Sequence, residues 1–365
     1  MNNGPLRESI CSAKVVQTQT IIAHQPPEET ILMFRQRAYL RKLQRASTIE
    51  LAQMLLTRDI SEQNFLRLYF GTERYARIRD HAATARRRFE LDEPALGTVV
   101  VLPGILGSEL VEGNQTIWLD VWSIICGEFD QFPLNSDGTS VEDINAPELV
   151  PPILFQNYYG EIQARLAADG WRVVPFPYDW RLDIAASARS LKEAIDRSVA
   201  SDQPLRFVAH SMGGLVVRSL LNQHLELRNR LARFIMLGTP NFGSFAIPLL
   251  YNGLDGTLNA ISIADQWHDM NALLAIAKTF VGTYQMQPFL GASEDAGRLF
   301  EPASYGDLNP PVDRFVAAKA FQTDVGGSLP LPPESCNYIA GFNQNTVCGV
   351  CDWNHLRSMD GYRMT

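Results

Sequence analysis

Cysteine and histidine are both scarce in this 365-residue chain, with 5 and 6 copies. The cysteines, Cys11, Cys126, Cys336, Cys348 and Cys351, are odd in number and scattered, which excludes the disulfide framework of a small secreted domain. Long apolar runs are missing too: nothing approaches the roughly 18 to 20 uninterrupted residues of a membrane span. The stretch from Met1 to Lys14 lacks the apolar centre of a secretory signal, so a cytoplasmic protein is expected. Basic charge is in deficit, and a net charge of −8 argues against a generic nucleic-acid binder. What the chain does have is apolar content, 46% hydrophobic and 10% aromatic, enough for one large domain with an appendage.

The charge is unevenly spread. Residues 31–90 hold 13 Lys and Arg against 6 Asp and Glu, leaving about −15 on the rest. Residues 1–30, with the Pro26-Pro27 break, read as a flexible lead-in. Over residues 31–96 apolar positions recur at helical spacing (Leu51, Met54, Leu55, then Phe65, Leu66, Leu68, Tyr69), which predicts a basic module of two or three helices. Its charged face is either a docking surface or simply solvated. From residue 97 the pattern changes to alternating β and α segments, the signature of a mostly parallel sheet covered by helices. Strands are expected at 98–104, 171–176, 232–238 and 337–341, with a helix over 184–199, and residues 205–219 read as a short strand, a tight turn and a helix. Between about 241 and 303 the alternation stops and apolar runs take over. This insertion is either a lid over an apolar substrate, able to dock at a membrane surface, or ordinary helix packing.

The chemistry centres on Ala209-His210-Ser211-Met212-Gly213-Gly214. A buried strand, a tight turn bearing a serine and an apolar-faced helix make up a nucleophile elbow, with Ala209 in place of the usual first glycine. A serine hydroxyl is a poor nucleophile at neutral pH. The fold must expose its oxygen at a sharp turn and aim backbone N–H groups at the developing oxyanion.

Four segments in this order, Leu102-Pro103-Gly104-Ile105-Leu106-Gly107-Ser108, Tyr178-Asp179-Trp180-Arg181-Leu182, the elbow, and Leu237-Gly238-Thr239-Pro240-Asn241-Phe242-Gly243-Ser244, resemble the lecithin:cholesterol acyltransferase family. Trp118-Leu119-Asp120 fits the same family, and the resemblance covers roughly residues 97–345. It implies an α/β-hydrolase that acts on lipid esters as a serine acyltransferase or phospholipase, without a cofactor or a metal. By position, Ser211 would be the nucleophile, and the backbone N–H groups of Met212 and Ile105 would be the oxyanion donors. Gly104 would permit the close approach. Asp179 and Arg181 read as a structural ion pair or as part of the substrate mouth, and Gly238-Thr239-Pro240 as a shaped turn.

This fold orders its triad as serine, acid, histidine. In the family the acid lies in a Gly-Asp-Gly-Thr-Val-Pro-like segment after a strand resembling Tyr338-Ile339-Ala340-Gly341, and the histidine follows. Neither segment appears here, which is the expectation for a C-terminally truncated member. His355 is the one histidine late enough, with Asp352 and Asp360 nearby, but the spacing leaves no room for an acid loop and a further strand. His24, His81, His224 and His268 precede any such acid, and of these only His268, in the insertion, invites inspection. The Cys348-Gly349-Val350-Cys351 pair lacks the second pair that a structural zinc site wants. Two functions follow: a serine-dependent lipid acyltransferase or esterase passing through an acyl-enzyme, or a catalytically silent hydrolase body that serves in binding.

Overall fold

The computed structural model describes residues 39, 42–43, 48–91, 95–113, 115–118, 128–149, 158–265, 267–291, 295–326 and 331–365. The lead-in at 1–30, Leu119 and Asp120 of the family-like tripeptide, His24, Cys11 and Cys126 lie outside the described residues. The chain divides into two compact units, Met1–Phe89 with Pro151–Ala168, and Glu90–Val150 with Asp169–Thr365.

The described part of the first unit is helical: α1 (Thr48–Leu55), α2 (Ile60–Phe70), α3 (Thr72–Glu90) and, after a long excursion of the chain, α4 (Tyr158–Ala168). Asp59 starts α2 by accepting from the N–H groups of Ser61 and Glu62, which have no partner within the helix. Leu51, Met54, Leu55 and Leu66 of the anticipated stripe close a small core with Tyr75 and Ile78, and Phe65 and Tyr69 pack against it, whereas Leu68 faces solvent. Two of the module's arginines are paired within the unit: Arg74 and Arg77 hold the Glu161 carboxylate of α4 at 3.0 and 2.7 Å. Partial burial raises the Glu161 pKa, but the hydrogen bonds from Arg77 and Arg74 outweigh it and hold the carboxyl below its usual range.

The second unit is an α/β fold built on five parallel strands: β1 (Thr98–Leu102), β5 (Arg172–Pro175), β6 (Leu205–His210), β7 (Leu231–Leu237) and β8 (Cys336–Ile339). They lie in the order β5-β1-β6-β7-β8, flanked by helices. β1 is buried along its whole length, as expected of an interior parallel strand. Helix α5 (Ile184–Ser198), capped by Asp183, packs on α6 (Met212–Gln223), which in turn meets α12 (Val312–Gly326). Leu215, Val216, Val217, Leu220 and Leu221 of α6 are all fully buried. At about 1.5–3 kcal/mol for each such side chain, this helix is among the most firmly anchored in the unit. Around the sheet lie a small antiparallel sheet, β2 (Leu110–Glu112), β3 (Gln115–Trp118) and β4 (Ile144–Asn145), and the hairpin β9 (Val347–Val350) and β10 (Tyr362–Met364).

After β7 the insertion folds as α8 (Ala246–Tyr251), α9 (Gly256–Ala264), α10 (Met270–Ala277) and α11 (Val281–Gln285), with a four-residue helix α7 (Leu225–Arg228) preceding β7. Asp255 and Asp269 cap α9 and α10. No described helix is long and apolar enough to cross a membrane.

Candidate active site

Ser211 sits between β6 and α6 with φ 49° and ψ −122°. A residue with a Cβ is rarely found at positive φ, and such backbone strain is commonest at functional turns. Hydrogen bonds hold the turn in place: the Ser211 N–H donates to the Leu237 carbonyl at the end of β7 (2.9 Å), and the Gly214 N–H donates to the Ser211 carbonyl (3.0 Å). The side chain is half-buried, and among the described residues no histidine hydrogen-bonds its hydroxyl.

The glycines of the elbow explain themselves by contact. A Cβ on Gly213 would lie 2.4 Å from the Pro103 carbonyl oxygen, and one on Gly214 would lie 2.0 Å from Thr239 Oγ1. On the facing loop, a Cβ on Gly104 would lie 2.9 Å from both Ser211 Cβ and His210 Nδ1. The loop after β1, the elbow and the Gly-Thr-Pro turn after β7 therefore meet at backbone contact distance. Met212 is the first residue of α6, where N–H groups lack intrahelical acceptors and the helix dipole favours negative charge. Ile105 stands next to Gly104 in the loop that lies against Ser211. Burial lowers the His210 pKa and so favours the neutral imidazole beside the serine.

The loop carrying Ile105 is a tight turn, with the Gly107 N–H donating to the Gly104 carbonyl at 3.1 Å and Leu106 at φ 63°. Three aromatic side chains fix it. Trp118 Nε1 donates to the Leu106 carbonyl (3.0 Å), the Tyr178 hydroxyl donates to the Pro103 carbonyl (2.9 Å), and Trp180 Nε1 donates to the Ser108 carbonyl (3.4 Å). The Tyr178 N–H also donates to Ser108 Oγ at 3.0 Å. These holding roles were not assigned from sequence, although every residue concerned lies in a segment singled out there.

Asp179 and Arg181 form a buried, bidentate ion pair: Arg181 Nη2 and Nε reach the carboxylate at 2.6 and 3.0 Å, while Nη1 donates to the Phe132 carbonyl and Nη2 to Ser140 Oγ. Arg181 is 0% exposed. Of the two sequence readings, this geometry matches the structural pair. Removing one partner leaves a buried charge uncompensated, so Arg181→Leu is expected to cost about 3–5 kcal/mol in a denaturant melt. The double variant Asp179→Leu with Arg181→Leu is expected to recover part of that loss. Equal losses in both would show that the ion pair does not carry the stability.

Beside the loop lies an apolar cavity of about 210 Å³. Ile105, Trp118, Phe132 and Trp180 form one part of its wall, and the insertion supplies Leu258 and Phe280 among others. Its volume exceeds that of a roughly 150 Å³ engineered apolar cavity that binds benzene. The residue proposed to give the second oxyanion N–H is thus also a wall of the cavity.

The remaining sequence candidates make their described hydrogen bonds to groups other than the elbow. His355 Nδ1 meets Asp352 Oδ2 at 2.7 Å on the segment joining β9 to β10, where the histidine side chain is 66% exposed. Cys348 and Cys351 are free thiols on the same hairpin. His268 lies in the insertion between two carboxylates.

No curated protein matches the chain. Among solved structures it is similar to a chain of the Tle4–Tli4 complex (12% identity, 64% of this chain and 72% of that one, TM-score 0.40). It is also similar to Bacillus licheniformis lipase BlEst2 in its mature form (17% identity, 68% and 66%, TM-score 0.32). Residues 156–275, the stretch that holds Ser211, both strands that flank the elbow and the first insertion helices, match the family model described as lecithin:cholesterol acyltransferase.

Proposed function

We propose that this chain is a serine-dependent acyltransferase or esterase acting on lipid esters. Ser211 Oγ attacks the ester carbonyl, its proton passing to a base, and the C–O bond to the leaving alcohol breaks as that alcohol takes up a proton. The acyl-enzyme is then discharged to water or to a second alcohol. The Met212 and Ile105 N–H groups face the oxyanion, and donors of this kind are typically worth about 2.7–4 kcal/mol each in the transition state. The observation that carries the reading is the contact of Gly104 with Ser211 at the strained elbow, one residue from an apolar cavity. The family match over residues 156–275 supports the same class of chemistry. The cavity takes the acyl chain, and the insertion helices over it act as a lid suited to a peripheral lipid surface.

A graded series of p-nitrophenyl esters tests the assignment of the cavity. Ala277 is buried in the cavity wall, so Ala277→Leu fills space that the chain end would occupy. It is expected to lower kcat/KM on long-chain esters roughly tenfold or more while leaving the acetyl ester within about twofold, since each methylene lost from an apolar pocket is worth about 1–3 kcal/mol. An equal loss on all chain lengths would detach the cavity from the acyl group.

One observation favours a second reading, a silent hydrolase body used for binding: the Ser211 hydroxyl has no histidine partner among the described residues. Under that reading Ser211→Ala would leave lipid binding intact, and no covalent adduct would form on the native chain.

A further inference from the structure

His268 has both ring nitrogens committed to carboxylates from different parts of the chain. Nδ1 meets Asp265 Oδ2 at 2.7 Å within the corner between α9 and α10, and Nε2 meets Asp130 Oδ1 at 2.9 Å on the 3-10 turn Glu128–Gln131. The two acids differ in setting. The Asp265 side chain is fully buried, and its other oxygen accepts the N–H groups of Trp267 and His268, whereas the Asp130 side chain is 61% exposed. Phe129, from the same turn as Asp130, sets its ring edge-to-face against the imidazole at 6.3 Å. Both elements joined here line the apolar cavity, the turn through Phe129 and the insertion through Leu258, Ile261 and Leu273.

Carboxylates only accept, and an imidazole donates from both nitrogens only when doubly protonated. The two-sided arrangement therefore belongs to the imidazolium. Once the proton leaves, one nitrogen presents a lone pair to a carboxylate. The bond that breaks is then the exposed one to Asp130, because Asp265 is fixed by its backbone bonds.

We propose that His268 is a proton-operated latch on the cavity, tying the α9–α10 corner to the 128–131 turn when charged and releasing the turn when neutral. Burial disfavours the charged ring, but the hydrogen bonds to Asp130 and Asp265 outweigh it and the balance lies above the ordinary histidine value. Asp265 and Asp130 are the charges acting on the ring among the described residues, and both favour the proton. A histidine whose folded pKa is raised contributes stability below its ordinary value and loses it as pH climbs through the raised one. The latch is therefore closed on the acid side and loosens on the alkaline side. It operates whether or not the cavity holds an acyl chain.

Hydrogen exchange on the whole chain tests this, following peptides from 256–278 against the buried helix α5 and correcting for the intrinsic pH dependence of exchange. Between about pH 5 and about pH 9 the corrected opening rate of 256–278 is expected to rise roughly tenfold relative to α5 as the charged ring's bond to Asp130 is lost. In His268→Gln the rise is expected to vanish. Asp130→Asn, which alters an exposed side chain and leaves the core untouched, is expected to reduce it at least threefold, a smaller change because the amide still accepts a bond. A rise of the same size in either folded variant, or a flat profile in the native chain, would overturn the latch.

Discussion

Replacing Ser211 by alanine is expected to lower kcat on a lipid ester by roughly 10⁴- to 10⁶-fold, the range over which serine enzymes lose their nucleophile. Residual turnover would come from the oxyanion donors and binding alone. The companion variant Ser211→Gly separates chemistry from folding. Glycine accepts φ 49° without the penalty a Cβ imposes, and strain of this kind costs about 1–3 kcal/mol. Ser211→Gly should therefore be as inactive as the alanine variant yet melt higher, by about 2–4 °C for each kcal/mol released. Activity that survives either change would remove Ser211 from the reaction. A melting temperature that falls in Ser211→Gly would deny the strain.

The second large effect is expected at Gly213. An alanine Cβ there would stand 2.4 Å from the Pro103 carbonyl oxygen and 2.9 Å from Leu102 Cβ, a clash with backbone that no rotamer change relieves. Overpacking of this kind costs about 1–3 kcal/mol and occasionally more, and Gly213→Ala belongs at the upper end. Relaxation would also push the 103–105 loop away from Ser211, so that ester turnover drops at least a hundredfold even in the folded fraction, about the cost of one oxyanion donor. Gly297→Ala is the matched control, since its Cβ would meet nothing within 4 Å, and its stability should change by no more than about 0.5 kcal/mol. If the two variants melt alike, the close packing of elbow and loop is not what holds this turn.

Much of the sheet was legible in the sequence because interior parallel strands are continuous apolar runs. Val99 to Leu102 and Phe234 to Leu237 announce themselves by composition, and the structure places β1 and β7 within two residues of the expected bounds. Helix α5 was equally plain from its spacing, and an aspartate at its start fixes where it begins. The antiparallel strands β2, β3 and β4 were not foreseen. They are two to four residues long, too short for a period to register, and their pairing joins Val111 to Asn145 across a long loop. The elbow motif pointed to Ser211, but the reason for each flanking glycine is a neighbour distant in sequence: Pro103 for Gly213 and Thr239 for Gly214. The same holds for the hydrogen bonds of Tyr178, Trp180 and Trp118, whose acceptors are backbone carbonyls of the 103–108 loop. His268 stood out only as a histidine within an apolar insertion. Its meaning depends on Asp130, 138 positions earlier, and no local pattern encodes that meeting.

β8 pairs with β7 alone among the described strands, and Tyr338, Ile339 and Phe342 on and after it are largely solvent-accessible. A serine elbow needs a base to take the proton from its hydroxyl. The chemistry assigned to Ser211 is therefore best tested by a reagent that reports directly on the activated hydroxyl.

Incubation of the whole chain with a fluorophosphonate, followed by mass spectrometric localisation of the adduct, is that measurement. The proposed reaction predicts rapid labelling to about one phosphonyl group per chain, confined to Ser211 and lost in Ser211→Ala. Folded protein that stays unlabelled, or carries the adduct on another serine, would contradict the assignment of Ser211 as the nucleophile.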